Sequence, residues 1–569
     1  MRILVKYPED YSPILEYYDR IKSGDEVVSR KVARVYRKLA EDLSGSVGAD
    51  GTVYHYSHSR ANHILEFAEN YCRHSKGKLG GQLVVLELWE KAMLAAMFGF
   101  IDDEGRRRYR EIILIVAKKN GKSLIGSIVG LYLQVGDGEP GAEVYAVATK
   151  KDQAKIIWGE AKRMVNKSPE LRRIIKPLVG EMDCAANESV FKPLASDTDT
   201  LDGLNVHGAL MDEVHQWRDG VALYDIIADG TTAREQPMVL ITSTAGVVRE
   251  DIYDNKYEYA EKVILGYDDP DAGIVDDHFL PFIYELDSRE EWEKEECWKK
   301  ANPGLGTIKN IRQLRDKVAR AKQEPSLQRN LLCKEFNIRE TAGGSWLSFD
   351  DLNNETLFDV RELKPRYGVG GADLSSTDDL TAACVIFMLP GCSDIYVIPM
   401  FWIPENSVER HIRTDKIRYD IWIEKGWVRT CPGNKINPDV VWEWFVEIQE
   451  EYDIYLNIVG YDSWSAEMWA SKMKQTFGEK TMRPVIQGKK TLSNPMKMLA
   501  KDFEAHRIIY NNNGLLKWCI ANTSVDEDKN GNIQPIKSRR PTQRIDGLAA
   551  LLDAYTVLQD NLDDYLSVI

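Results

Sequence analysis

The sequence predicts two α/β domains in series, the first with a parallel sheet covered by helices on both faces and the second with a mixed sheet. Two observations carry this reading. First, YREIILIVA, AEVYAVAT, LNVHGALMDE and QPMVLITSTAG are continuous apolar runs separated by helical segments. Strands buried on both faces lose their in–out alternation, and helical crossovers between them make them parallel. Second, YGVGGADLSS, TAACVIFML and DIYVIPMFWI follow one another with short links, as an antiparallel meander does, before helices and strands alternate again.

In chain order, residues 1–75 are charged and helix-patterned, with apolar residues at helical spacing in VSRKVARVYRKLAEDL, and they carry no evident chemistry. Residues 76–265 hold the first sheet. Residues 266–345 turn charged and helical in REEWEKEECWKKANPGLG and IRQLRDKVARAKQEP, which suits a lid or linker, and ETAGGSW (Glu340–Trp346) reads as a hinge. Residues 346–569 hold the second sheet and a short tail. There the meander is followed by the helix NPDVVWEWFVEIQEEY, the strands LNIVGYDS and MRPVIQG, and a last helix from about 541 to 559.

The 569 residues, 43% hydrophobic and 29% charged, are enough for several cores and exclude a disordered chain. No apolar run reaches the roughly 18 residues of a membrane span, and the charged opening MRILVKYPEDY is not a signal peptide, so a cytoplasmic chain without membrane contact is expected. The eight cysteines form no C-x-x-C and read as free thiols, mostly small core residues. A net charge of −15 argues against a surface coated with non-specific nucleic-acid affinity but leaves room for local contacts. The basic clusters Arg106–Arg110 and Lys537–Arg540 fit solvated faces and DNA contacts equally well.

After the first strand, AKKNGKS ends in Gly121-Lys122-Ser123, the second half of the phosphate-loop pattern G-x-x-x-x-G-K-[ST]. The first glycine of that pattern is replaced by Val116. In such a loop, backbone N–H groups and a helix N-terminus cradle oxyanions, lysine reaches the terminal phosphates and Ser/Thr holds magnesium. A second strand ends in Asp212-Glu213, the form of a Walker B pair, in which one carboxylate orients magnesium and the next activates water. A third ends in Thr242-Ser243-Thr244, hydroxyls able to sense a γ-phosphate. Parallel strands bring all three ends to one carboxyl edge, where such sheets bind ligands. The first domain therefore reads as a P-loop ATPase with ATP and Mg2+ at this edge.

In the second domain Asp373 and Asp462 end the first and fourth strands, and Asp546 lies near the start of the last helix. Three antiparallel strands followed by alternating α and β is the order of a ribonuclease-H-like fold, in which strands one and four are parallel neighbours. Clustered carboxylates repel one another unless divalent cations relieve the charge. Two Mg2+ or Mn2+ ions roughly 4 Å apart support phosphodiester hydrolysis. Asp379 and Asp553 are nearby acids with a weaker claim on metal, and Lys537 could meet a phosphate.

An altered phosphate loop followed by a metal-dependent nuclease domain resembles the large terminase subunit of tailed bacteriophages. The resemblance runs from about 85 to 557 through Trp89, AKKNGKS, VATKKDQA, LDGLNVHGALMDEVHQW, QPMVLITSTAG, KKANPGLG, GADLSSTDDLTA, GYD and RIDGLAALLDA. It implies ATP-driven translocation of viral double-stranded DNA into procapsids and metal-dependent cutting of concatemers. The implied partners are the portal, the small terminase subunit and further copies of the chain in a ring, in the host cytoplasm. Carried over residue by residue, Lys122 and Ser123 bind phosphate and magnesium, Asp212 binds the metal, and Glu213 is the catalytic base. Thr242, Ser243 and Thr244 match the coupling motif, and Asp373, Asp462 and Asp546 match the nuclease metal triad. Lys118 and Lys119, with Asn120, stand where terminases carry a basic phosphate loop. Ring motors imply a trans-acting arginine, for which Arg234 is the candidate and Arg249 a second. Where family members often place glutamine after the tryptophan for adenine recognition, this chain has Glu90, an acceptor that as a carboxylate cannot donate. The competing readings are a DNA-remodelling ATPase with an inactive ribonuclease-H-like scaffold, and a portal-docking component whose ATP site only holds an assembly together.

Overall fold

The structure, a computed structural model, describes residues 4–196, 203–218, 220–246, 251–340, 346–374, 380–415, 417, 419–462, 467–537 and 544–569. The chain folds into two compact units, one reaching Arg339 and one running from Glu340 to Ile569. The hinge read at Glu340–Trp346 has residues 341–345 outside the described ones, as do Arg249, Asp379 and the arginines of Lys537–Arg540.

In the first unit a small antiparallel sheet joins Ser46–Val47 (β1), Val53–Tyr56 (β2) and Phe100–Asp102 (β3). The main sheet contains Glu111–Ile115 (β4), Glu143–Ala148 (β5), Lys176–Pro177 (β6), Met182–Cys184 (β7), Ser189–Ala195 (β8), Val206–Asp212 (β9), Met238–Ser243 (β10) and Phe279–Ile283 (β11). Its order is β11-β4-β10-β9-β5-β8-β7-β6. From β11 through β8 every pairing is parallel. The short β6 and β7 close the far edge antiparallel. All seven residues of β9 and all six of β10 are buried, as the unbroken apolar runs require.

Residues 1–75 are not a free-standing segment. Ser29 caps the helix Arg30–Asp42, accepting from the Val32 N–H, and its hydroxyl also donates to the carbonyl of Ile283, fastening that helix to edge strand β11. Strand β11 itself departs from the sequence reading, which placed residues 266–345 in a helical lid. The remainder of that span holds the helices Ile311–Gln323 and Pro325–Phe336 around a core of Trp292, Trp298, Leu314, Leu332 and Phe336, into which Ala117 of the phosphate loop also packs.

The basic cluster Arg106–Arg110 is likewise not a surface face. Arg107 pairs with Asp137 at 2.5 Å, and Arg108 with Asp42 at 2.7 Å and Asp277 at 2.9 Å, all with little exposure. Arg107 and Arg108 are tolerated in the interior because each guanidinium meets a carboxylate. The eight cysteines are free, and six of them are buried.

In the second unit the strands are Tyr367–Asp373 (β12), Thr381–Phe387 (β13), Ile395–Pro404 (β14), Val428–Cys431 (β15), Tyr455–Asp462 (β16), Met482–Val485 (β17) and Ile508–Ile509 (β18). Their order is β15-β14-β13-β12-β16-β17, with β18 beside β14. The antiparallel meander β12–β13–β14 and the parallel pairing of β12 with β16 are those read from the sequence. A separate hairpin joins Thr523–Glu527 (β19) to Ile533–Lys537 (β20), the latter ending in Lys537. The helix Asp546–Asp560, which a short helix Leu562–Val568 follows, crosses β12 and β16 at two glycines. A Cβ built on Gly371 would stand 2.1 Å from the Ala550 carbonyl, and one on Gly460 2.4 Å from that of Asp553. Only glycine admits a helix backbone at that distance. Among the described residues, no helix is long and apolar enough to cross a membrane.

Candidate functional site

Three strand ends meet at the carboxyl edge of the first sheet. Strand β4 runs into Val116, whose N–H donates to the Ser243 carbonyl at 3.1 Å, so the loop leaves the sheet one residue late. Lys119 at φ 69° and Gly121 at φ 84° turn the chain, and Gly121 caps the helix Lys122–Val135 in the left-handed region. The free N–H groups of that helix terminus make the anion cradle expected at Gly121-Lys122-Ser123.

The Lys122 ammonium donates to the Val116 carbonyl at 2.8 Å and stands 3.6 Å from Glu213. Burial lowers its pKa, against the pull of Glu213 and Asp212. Asp212 accepts from the Thr242 hydroxyl at 2.7 Å and from the Glu213 N–H at 3.0 Å. Burial first, then the neighbouring Glu213 charge, push its carboxyl up to about 6. Glu213 adopts a left-handed backbone at φ 51°, an uncommon conformation for a non-glycine residue and one associated with functional sites. Burial pushes its carboxyl up, but Lys122, His215 and Lys118 outweigh this and hold it below the usual range. Lys118 therefore acts on the site through its field, while Lys119 is exposed.

Several further residues complete this edge. His215 stands 3.2 Å from Glu213 and 3.0 Å from the Ser243 hydroxyl. Asn120, fully buried, donates to Asn302 at 3.0 Å and accepts from the Gly304 N–H at 3.1 Å. Asn302 also receives the ammonium of Lys309, whose pKa burial brings down to about 8, and Lys309 pairs with Glu335 at 2.7 Å. Asn337 accepts from the Ala245 N–H at 3.0 Å and donates to the Tyr284 carbonyl at 2.7 Å. The segment Ala301–Asn337 thus holds both the phosphate loop and the strand end after Thr244. In the sequence, Asn302 and Gly304 stand in KKANPGLG, Asn120 in AKKNGKS and His215 in LDGLNVHGALMDEVHQW, but nothing local tells that they meet.

Glu90 departs from its expected part. One oxygen accepts from the Glu87 N–H in a capping box, and the other, buried and unpartnered among the described residues, lies 3.0 Å from where a Cβ on Gly121 would be. Burial pushes this carboxyl up to about 8, so near neutrality it is largely the acid and carries a donor proton.

Arg234 lies at the opposite, amino-terminal edge of the sheet. It donates to Glu139 at 2.7 Å and to the Gly141 carbonyl at 2.7 Å, with 12% of its side chain exposed. The structure commits this guanidinium to its own chain.

In the second unit, strands β12 and β16 end side by side, with Ala372 opposite Tyr461, so Asp373 and Asp462 share one edge. Asp546 opens the helix Asp546–Asp560 and is buried. Two turns on, Asp553 is 2% exposed, accepts from the Gln487 amide at 3.0 Å, and keeps its other oxygen buried without a partner among the described residues. Burial raises its pKa well above the carboxylate range, and the charges of Asp373 and Asp462 add to this. Asp546 and Asp373 both act on the buried Cys519 thiol, whose pKa burial raises first. Among the described residues no three His, Cys, Asp or Glu side chains stand close enough to share one ion. Asp373 and Asp462 thus end neighbouring strands, and Asp546 and Asp553 lie on the helix Asp546–Asp560. Arg544, two residues before Asp546, donates to Asp415 at 3.1 Å and to His411 at 2.8 Å and so fixes the entry of that helix. The carboxylates of both edges and the hydroxyls of Ser123 and Thr242 are hard oxygen donors, the kind that suits magnesium or manganese rather than zinc.

Comparison with known proteins agrees with this architecture. The family model of the terminase large subunit ATPase domain matches residues 88–262, and that of the terminase large subunit endonuclease domain matches residues 273–561. The large terminase subunit of Enterobacteria phage HK97 is 26% identical over 504 residues, covering 87% of this chain and 94% of that protein. Protein YmfN of Escherichia coli K12 is 25% identical over 370 residues, covering 62% of this chain and 77% of that one. The crystal structure of the HK97 large terminase aligns over 88% of this chain and 99% of its own, at 25% identity and a TM-score of 0.47. With its ATPase domain and its endonuclease domain in sequence on one polypeptide, the chain belongs to the terminase large subunit family of DNA-packaging enzymes.

Proposed function

We propose that ATP is hydrolysed at the carboxyl edge of β4, β9 and β10, and that DNA is cut at the edge bearing Asp373 and Asp462. The observation that carries the first half is the position of Glu213, a strand-end carboxylate set between Lys122 and His215 at the mouth of the phosphate loop. Loop amides and the N-terminus of Lys122–Val135 bind the phosphates, and Lys122 leaves the Val116 carbonyl to reach them. Ser123 and Asp212 would hold magnesium, with Thr242 fixing Asp212 through its hydroxyl. Glu213 orients the attacking water and accepts its proton. Asp373, Asp462 and Asp546 would hold the nuclease cations, with Asp553 behind them. At both edges, divalent cations supply charge neutralisation of phosphate oxygens and activation of water.

The reading extends to the work of the whole enzyme: translocation of viral double-stranded DNA at a procapsid portal in the host cytoplasm, in a homo-oligomeric ring served by a small terminase subunit. A trans-acting arginine belongs to that picture, and Arg234 would have to leave Glu139 to serve as one. Two variants separate the halves. Lys122→Ala is expected to abolish ATP hydrolysis and keep manganese-dependent plasmid cutting, and Asp373→Ala is expected to do the reverse. Normal cutting by Asp373→Ala would remove the nuclease assignment.

A further inference from the structure

His215 follows the Asp212-Glu213 pair by two residues and stands where that pair meets the Thr242-Ser243-Thr244 strand end. Its Nδ1 lies 3.2 Å from Glu213 Oε2, 3.0 Å from Ser243 Oγ and 3.5 Å from Thr244 Oγ1. The ring is fixed: its backbone N–H donates to Ser243 Oγ at 3.2 Å, Tyr253 meets it edge-on at 6.4 Å, and a Cβ on Gly246 would stand 2.9 Å from the histidine Cβ. Ser243 Oγ donates its own proton to the Thr244 carbonyl at 2.9 Å, so toward the ring it can only accept. The Glu213 carboxylate is an acceptor too. With the hydrogen on Nδ1, a single N–H faces two acceptors, Glu213 and Ser243.

We propose that His215 is a positioning residue for ATP hydrolysis, dividing one Nδ1 proton between the Glu213 carboxylate and the Ser243 hydroxyl and so tying the aim of the base to the strand-end hydroxyls. When Ser243 shifts toward a bound nucleotide, the proton swings fully to Glu213. When Ser243 returns, the hold on Glu213 weakens. Because Ser243 also accepts the Val116 N–H through its carbonyl, the same strand end is in register with the phosphate loop. The histidine does not touch the reacting atoms, and it acts through Glu213. The inference rests on Glu213 being the base.

The test uses the full chain, with kcat and KM for ATP and the affinity of a non-hydrolysable ATP analogue measured for each variant. Asparagine can place an amide N–H where Nδ1 stands, whereas glutamine reaches the Nε2 position. His215→Ala is expected to lower kcat roughly 10- to 100-fold, the worth of one hydrogen bond to a charged group, with analogue affinity kept within about threefold. His215→Asn should recover most of the loss, and His215→Gln should stay with alanine. Wild-type kcat in His215→Ala, or equal rates for the Asn and Gln variants, overturns the proposal. The Asn/Gln contrast decides the question even if His215→Ala folds poorly. Glu213→Gln is the control: retained hydrolysis there removes the base assignment itself, whereas a dead Glu213→Gln alongside indifferent histidine variants removes only the role of His215.

Discussion

The ammonium of Lys122 donates to the carbonyl of Val116 at 2.8 Å, a contact that does not call for glycine at position 116. Residue 116 continues β4 by one more sheet hydrogen bond, its φ is not positive, and its isopropyl group is fully buried. What the site takes from this position is a carbonyl, which any residue supplies. Val116→Gly, which restores the general pattern, is therefore expected to leave KM for ATP within about threefold of wild type while costing roughly 2–3 kcal/mol of stability through the lost side chain and the freer backbone. Urea denaturation beside steady-state ATPase kinetics checks both, and a tighter KM would contradict the account.

The side-chain contact between Asn120 and Asn302 predicts a measurable coupling. Both residues are fully buried, and each uses its amide on the other's segment. Asn302→Ala should raise KM for ATP several-fold more than it lowers kcat, since it loosens the loop that holds phosphates and leaves the base in place. A double-mutant cycle with Asn120→Ala should give an interaction energy of about 1 kcal/mol or more. Strict additivity would mean that the two segments merely touch.

Glu90 predicts a pH signature. Its folded pKa, raised by burial to about 8 from the ordinary 4.5, means that between these values the unfolded chain has released a proton that the folded chain retains. The contribution of this group to stability is therefore complete below 4.5 and is lost as pH rises through about 8. Glu90→Gln keeps the side-chain shape beside Gly121 and cannot ionise. Its stability relative to wild type should grow between about pH 5 and pH 9 in urea midpoints. A difference that does not change with pH would show that Glu90 is ionised within the fold.

At the nuclease edge, Gly460→Ala tests the close crossing of the helix Asp546–Asp560. The added methyl would stand 2.4 Å from the Asp553 carbonyl, and backbone cannot yield as a side-chain tip does. The helix bearing Asp546 and Asp553 should be displaced, at a cost of about 3 kcal/mol or more and with loss of plasmid cutting. ATP hydrolysis, carried by the other unit, should persist. Normal cutting by this variant would show that the helix can move without consequence.

Much of the architecture was legible because its causes are local. Unbroken apolar runs gave β4, β5, β9 and β10, and the meander order gave the pairing of β12 with β16 and hence the shared edge of Asp373 and Asp462. The β6–β8 region and edge strand β11 were not read: β6 and β7 are too brief to carry a period, and Lys192-Pro193 and Pro281 interrupt the apolar runs of β8 and β11. The cluster Arg106–Arg110 was read as surface because a run of charge looks solvated until its partners are known. Those of Arg107 and Arg108 lie 30 residues away at Asp137 and 66 and 169 away at Asp42 and Asp277.

By itself, then, the sequence determined which residues stand at strand ends and helix starts: Lys122, Ser123, Asp212, Glu213, Thr242, Asp373, Asp462 and Asp546. It could do so because strand period, turn chemistry and helix termini act over a few residues. Tertiary structure alone decided what surrounds them. His215 reaches Ser243 across 28 residues, Asn120 reaches Asn302 across 182, and Gln487 reaches Asp553 across 66. The proton form of Glu90 and the field on Glu213 belong to the same class. Burial and neighbouring charge set them, and both exist only once distant segments have excluded water from the same place.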